Sequence, residues 1–153
     1  MNTLQFPESY QRKRVEERLV PGVVIKFPAV MGDGKLHEKR FVVVDGGPPT
    51  LTCVMNTEIN GFIKSRPDLL KCQVKVSGSY SFADYDCHFD CSQVLSYDRN
   101  EVIEVLMGDF NKVLGDVDEP LRDQLVSGLQ AAVTVDPDDL ATALSSLSAI
   151  TYP

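Results

Sequence analysis

Apolar and polar residues alternate along the first two thirds of the chain in the manner of β-strands. The pattern predicts strands over residues 22–29 (GVVIKFPA), 40–47 (RFVVVDGG) and 50–57 (TLTCVMNT). We expect Pro28 to end the first of them, and the charged, glycine-bearing stretch 31–39 to form a flexible loop.

Two later segments also alternate. In CQVKVSG, residues 72–78, Cys72, Val74 and Val76 are expected on one face and Gln73 and Lys75 on the other. In YDCHFDCSQV, residues 85–94, the alternation places Cys87, Phe89 and Cys91 inward and Asp86, His88 and Asp90 outward. The segment 58–71 between strands is expected to form short helical turns or an irregular connection.

The apolar spacing changes to a helical period after residue 98. Asp98 or Ser96 is expected to cap a first helix, and the segments beginning Asp118-Glu119-Pro120 and Asp136-Pro137 have the start signals of two more. Residues 8–19 predict a short, solvated N-terminal helix. The order of strands followed by helices indicates one α+β domain over residues 1–153, with a strand part at about 20–95 and a helical part at about 98–147.

Composition is typical of a globular protein, with 153 residues, 43% hydrophobic and 24% charged. The apolar runs are far shorter than a bilayer span, and the N-terminal segment lacks the apolar region of a secretory signal. Four cysteines without such a signal predict reduced thiols and a cytoplasmic location.

Charge is distributed unevenly. Residues 1–40 carry eight Lys/Arg against five Asp/Glu, whereas residues 101–153 carry two against ten, and the whole chain has a net charge of −7. The chain as a whole therefore does not attract nucleic acid, and any RNA binding has to use a local basic patch in the first forty residues.

The motif order resembles that of the MazF/PemK toxin family. A first strand is followed by GDGKLHEKRFVVV, then by a strand ending in the polar pair Asn56-Thr57, and YDCHFDCSQV and GDVDEPLRDQLVSGL are similar to that family's later strand and C-terminal helix. The resemblance covers residues 20–132. It implies an SH3-like barrel that forms a homodimer, and an endoribonuclease toxin, or a degenerate relative of one, with RNA as substrate and a protein antitoxin as partner.

The resemblance also implies roles for individual residues in metal-independent RNA cleavage. Arg40 would hold a phosphate with its planar fork, Thr57 or Asn56 would add a neutral hydrogen bond, and His37 would shuttle a proton. Gly32, Gly34, Lys35 and Lys39 would bring backbone amides and positive charge to the substrate. Family members usually have proline after the arginine, where this chain has Phe41.

Each of these residues also has a structural interpretation, such as a surface ion pair for Arg40 or a strand-end cap for Thr57. The alternative function is therefore a non-catalytic interaction module whose acidic helical tail binds a protein partner. A zinc site formed by Cys87, Cys91 and His88 is disfavoured, because neighbouring strand positions face opposite sides. We expect no cofactor.

Overall fold

The structure is a computed structural model and describes residues 7–153. Residues 1–6, the start of the segment interpreted above as lacking a secretory signal, lie outside the described part. Among residues 7–153, no helix combines the length and apolar character needed to cross a membrane.

The strands form a curled, antiparallel half-barrel sheet in an α+β fold. Within residues 7–153 there are seven, β1 Val23–Val30, β2 Leu36–Asp45, β3 Thr50–Asn56, β4 Gln73–Val76, β5 Cys87–Asp90, β6 Leu95–Tyr97 and β7 Val113–Asp116. The sheet order is β4-β5-β3-β2-β1-β7, and β6 also pairs with β3. In this order β4 and β7 are the outermost strands.

The helices lie on both faces of this sheet. Six are found within residues 7–153: α1 Glu8–Arg18, α2 Gly61–Lys64, α3 Pro67–Leu70, α4 Arg99–Gly108, α5 Glu119–Gln130 and α6 Pro137–Ser148, and a 3-10 turn spans Phe110–Lys112. The helices α5 and α6 cover one face of the sheet, and α1 and α4 cover the other.

The central strands are apolar at consecutive positions because both faces are buried. Val42 and Val44 of β2 pack toward α5 and α6, whereas Phe41 and Val43 pack toward α1 and α4. The run FVVV therefore contributes to two hydrophobic cores. Gly128 brings α5 close to the sheet, since a Cβ there would lie 2.8 Å from Val74 Cγ2.

Several predicted elements are confirmed. The N-terminal helix is α1, and the strands predicted around residues 22–29, 40–47, 50–57 and 72–78 are β1 to β4. The predicted helix starts are confirmed as well, and of the two candidate caps Asp98 and Ser96 the structure has Asp98. The side chains of Asp98, Asp118 and Asp136 accept hydrogen bonds from backbone N–H groups in the first turns of α4, α5 and α6. The four cysteines are free and buried.

Other details were wrong. Pro28 does not end β1, because beyond Ile25 this strand has β2 on one side and no pairing with β7 on the other, and such an edge tolerates a residue without an N–H group. The expected loop over 31–39 is shorter, because β2 begins at Leu36 and pairs it with Val30. The order of strands followed by helices is interrupted by β7, which lies between α4 and α5 in the chain and pairs with β1.

Candidate functional site

An open pocket lies where β2, the end of β3 and the loop between β4 and β5 meet. It has a volume of about 210 Å³ and is lined by Glu38, Lys39, Arg40, Met55, Thr57, Asp84, Tyr85 and Cys87. The pairing of Phe41 with Val54 sets this arrangement, because continuing the register places Arg40 opposite Met55. Thr57 follows Met55 by two positions and therefore shares its face.

The guanidinium of Arg40 is held in place by the β4–β5 loop. Its Nη1 donates to the carbonyl oxygen of Phe82 at 2.9 Å, and its Nη2 donates to Asp84 Oδ2 at 2.8 Å. The side chain of Arg40 is 22% exposed. A guanidinium has five N–H donors, so these two bonds leave donors for a ligand in the pocket.

Of the polar pair at the end of β3, the structure places Thr57 with Arg40 in the pocket lining and Asn56 beside Lys39. The Lys39 Nζ donates to Asn56 Oδ1 at 3.2 Å. By strand alternation the Asn56 side chain lies on the opposite face of the sheet from Thr57. Arg40 and Thr57 are thus brought together, and Lys39 borders the same pocket.

The remaining predicted site residues lie at the β1–β2 hairpin, away from this lining. Gly32, Gly34 and Lys35 belong to the turn between Val30 and Leu36, where Gly34 has a φ of 75°. His37 Nε2 lies 2.7 Å from Asp33 Oδ2. Since His37 precedes Arg40 by three strand positions, about 10 Å along β2 separates them.

The hairpin has its own electrostatics. The pKa of Asp33 is lowered, first by the backbone N–H of Lys35 and then by the hydrogen bond with His37. Both side chains are exposed. The Asp33 carboxylate therefore stabilises the turn and holds the imidazole of His37 in a hydrogen bond.

The charged side chains that line the pocket balance, with Lys39 and Arg40 against Glu38 and Asp84. Glu38 Oε2 lies 2.8 Å from Lys112 Nζ, and this hydrogen bond is the main cause that lowers the pKa of Glu38. An anionic ligand would bind here through the guanidinium of Arg40 and the ammonium of Lys39.

Cys87 also borders the pocket, but its thiol is not set up as a nucleophile. Burial raises the pKa of Cys87, and the nearby Arg40 opposes this effect without outweighing it. A protonated thiol is a poor nucleophile and a poor metal ligand. Within residues 7–153, no group of three or more His, Cys, Asp or Glu side chains is arranged to hold a metal ion.

The expected pattern of buried and exposed side chains along β5 is confirmed in part. Cys87, Phe89 and Cys91 are buried as expected, but Asp90 is 1% exposed instead of solvated. Its carboxylate accepts hydrogen bonds from Gln73 Nε2 at 2.8 Å, Ser92 N at 3.0 Å and Gln93 Nε2 at 3.0 Å. β5 ends at Asp90, so the carboxylate binds the following turn instead of facing water.

The pKa of His88 is lowered in spite of the aspartates on either side of it in the sequence. Burial lowers the pKa of His88 and the charge of Lys75 lowers it further, and Asp86 opposes both without outweighing them. Among the described residues, His88 Nδ1 is a buried atom without a hydrogen-bond partner. Burial in the folded protein therefore favours the neutral form of His88.

This predicts an acid-sensitive contribution to stability. The unfolded chain takes up a proton at His88 as the pH falls through about 6.5, whereas the folded chain takes it up at a lower pH, so stability should decline between these two pKa values and then level off. In urea unfolding at pH 7.5 and 5.5, His88→Gln should lose less stability on acidification than the wild type. An equal loss in His88→Gln and the wild type would contradict the prediction.

Five lining residues were not among the predicted site residues: Met55, Cys87, Glu38, Asp84 and Tyr85. Glu38 lies in a stretch that was expected to be a flexible loop, and Asp84 and Tyr85 belong to an irregular loop that has no periodic signal. The position of Asp84 and Tyr85 follows from the packing of Phe82, which is buried in the core beneath α5 and α6. An aromatic residue between two aspartates in ADYD is the one sequence feature that could have drawn attention to Tyr85.

The pocket thus combines a positioned guanidinium and a hydroxyl, which can donate hydrogen bonds to an anion, with the carboxylates of Glu38 and Asp84. Comparison of the chain with protein-family models finds no match, and comparison with curated proteins finds none either.

Proposed function

We propose that the chain is a MazF/PemK-like, metal-independent endoribonuclease, or a degenerate relative of one, that acts at the Arg40 pocket. The observation that carries this proposal is the convergence of Arg40 and Thr57 on one open pocket. The SH3-like character of the half-barrel belongs to the same proposal.

In this proposal Arg40 binds the scissile phosphate and stabilises the charge of the phosphorane-like transition state. The bonds from Arg40 to the carbonyl of Phe82 and to Asp84 hold the guanidinium before the substrate arrives, so little reorganisation is needed. Thr57 donates its hydroxyl hydrogen to a non-bridging oxygen. Lys39 adds positive charge for the flanking phosphates.

The proton acceptor in this proposal is Asp84. The sequence suggested His37, but its imidazole bonds to Asp33 in the hairpin. Asp84 lines the pocket and is largely exposed, so its carboxylate can take the proton of the ribose 2′-hydroxyl. The 2′-oxygen then attacks phosphorus, the bond to the 5′-oxygen breaks, and this oxygen takes a proton from water. The products are a 2′,3′-cyclic phosphate and a 5′-hydroxyl.

The test is incubation of the purified protein with a mixed pool of single-stranded RNA in EDTA. Wild type should generate fragments with cyclic phosphate ends, and Thr57→Ala should cleave about 10- to 100-fold more slowly, because one hydrogen bond to the transition state is lost. The exposed Thr151→Ala is the matched control and should retain the wild-type rate. Absence of cleavage by the wild type at low salt would overturn the nuclease proposal.

The proposal includes a homodimer in the cytoplasm that is inhibited by a protein antitoxin. Free, buried cysteines are compatible with a reducing compartment. Expression should arrest growth, and sedimentation should give twice the chain mass. Normal growth with a monomeric mass would remove this part of the proposal.

A second candidate is a non-catalytic interaction module. The observation that favours it is the acidic character of α5 and α6, whose starts expose Glu119, Asp123 and Asp138 and leave Asp139 half-buried. A basic protein segment would be the matching ligand. Binding of a labelled lysine-rich peptide that is lost in a double Asp138→Asn, Asp139→Asn variant, in a protein that does not cleave RNA, would support this candidate.

A further inference from the structure

Tyr85 is an exposed aromatic side chain at the edge of a charged pocket. It lines the pocket with Arg40 and Thr57, yet it is 63% exposed. Among residues 7–153, its ring is paired with no other aromatic ring. An exposed ring beside a polar site offers an apolar face that a ligand in the pocket can cover.

The backbone that carries Tyr85 is firmly positioned. Gly78 packs directly against it, since a Cβ on Gly78 would lie 2.8 Å from the Cα of Tyr85. The N–H of Gly78 donates to Asp86 Oδ1 at 2.8 Å, which closes the loop just after Tyr85. On the other side, Asp84 is tied to Arg40 at 2.8 Å. The backbone of Tyr85 therefore lies at a defined place relative to the guanidinium.

The size of the pocket determines which part of a nucleotide it can hold. Its volume of about 210 Å³ is below the range of about 300–1,000 Å³ that is usual for sites enclosing a drug-sized ligand. A phosphate with part of its ribose fits this space, whereas a complete nucleotide does not. The base attached to that ribose must then lie outside the pocket, at its rim.

We propose that Tyr85 is the stacking platform for a nucleobase next to the phosphate bound by Arg40. This inference rests on the proposed function, because it takes single-stranded RNA as the ligand. Proteins bind unpaired bases by stacking them on aromatic rings beside a positively charged path for the backbone. The ring of Tyr85 and the cation of Arg40 supply these two elements at adjacent positions.

The test compares two labelled ligands in EDTA at low salt, by fluorescence anisotropy. One is a single-stranded oligoribonucleotide with 2′-O-methyl groups, which cannot be cleaved, and the other is an abasic oligomer of the same length and charge. Tyr85→Leu should weaken binding of the first about 5- to 100-fold and leave binding of the second unchanged. Tyr85→Phe keeps the ring and should bind both as the wild type does.

The matched control is Phe62→Ala. Phe62 is 64% exposed, almost the same as Tyr85, but it lies on α2 and lines another surface with Ile63 and Arg66. Loss of the Phe62 ring should leave the affinities for both oligomers unchanged. A circular dichroism melt of Tyr85→Leu should match that of the wild type, because an exposed side chain contributes little to the core.

The outcomes separate the two proposals. If the wild type binds both ligands in an Arg40-dependent manner and Tyr85→Leu binds the RNA as well as the wild type does, the stacking inference is wrong and the phosphate site stands. If Tyr85→Leu weakens the binding of both ligands equally, Tyr85 contacts the sugar-phosphate backbone of the oligomer, and the inference is also overturned. If the wild type binds neither ligand, the RNA proposal itself fails.

Discussion

Arg40→Ala should reduce RNA cleavage about 100- to 1,000-fold, the largest functional effect expected of a single substitution in this chain. The substitution removes the planar cation that holds the phosphate, and it leaves Asp84 without its partner in the pocket. The measurement is the initial rate of fragment formation in EDTA. Arg40→Lys should restore only part of the rate, because an ammonium group cannot form the bidentate fork.

Arg66→Ala provides a matched control. Arg66 donates to both carboxylate oxygens of Asp68, at 3.1 and 2.8 Å, so it resembles Arg40 in having a neighbouring carboxylate as partner. It lies on another surface, against Phe62. Equal losses in Arg40→Ala and Arg66→Ala would show that general charge, and not this pocket, is responsible for activity.

Phe41→Ala should lower the free energy of unfolding by about 3–5 kcal/mol. Phe41 is 0% exposed and lies between Phe27, at a centroid distance of 6.4 Å, and Tyr97, at 5.5 Å. Removing its ring leaves a cavity beneath α1 and α4. Urea unfolding measures the effect, and Phe62→Ala, which removes an exposed ring, should change stability far less.

A small effect of Phe41→Ala would mean that this side of the sheet is loosely packed.

Phe41 is also the position where this chain differs from the MazF/PemK pattern, in which proline usually follows the arginine. Because neighbouring strand residues face opposite sides, the Phe41 ring lies away from the pocket that Arg40 lines. Phe41 therefore supports the sheet and does not block the pocket.

The alternation of apolar and polar residues predicted most strands because burial on one face leaves a period of two in the sequence. The alternation was less informative for short strands and at the ends of strands. β7 is four residues long and only half-buried, so it has too few residues to show a period. Asp90 was expected to face water, but the chain turns just after it and donors from Gln73, Ser92 and Gln93 surround its carboxylate.

The candidate site could be predicted in part. Arg40 and Thr57 were predicted from the order of the motifs, and the sheet register brings both residues to the lining of one pocket. His37 and the hairpin glycines are close to Arg40 in sequence, but an extended strand carries them away from it at roughly 3.3 Å per residue. Nearness in sequence is therefore a poor guide to nearness in space along a β-hairpin.

By itself, the sequence determined the elements whose signals are local: the three aspartate-capped helices, the N-terminal helix and the strands with burial at regular positions. Only the tertiary structure decided that β7 joins β1, that Asp84 and Tyr85 line one pocket with Arg40, and that burial lowers the pKa of His88. The physical reason is that caps and periodicity depend on residues a few positions apart, whereas strand pairing, loop placement and desolvation depend on contacts between segments distant in the chain.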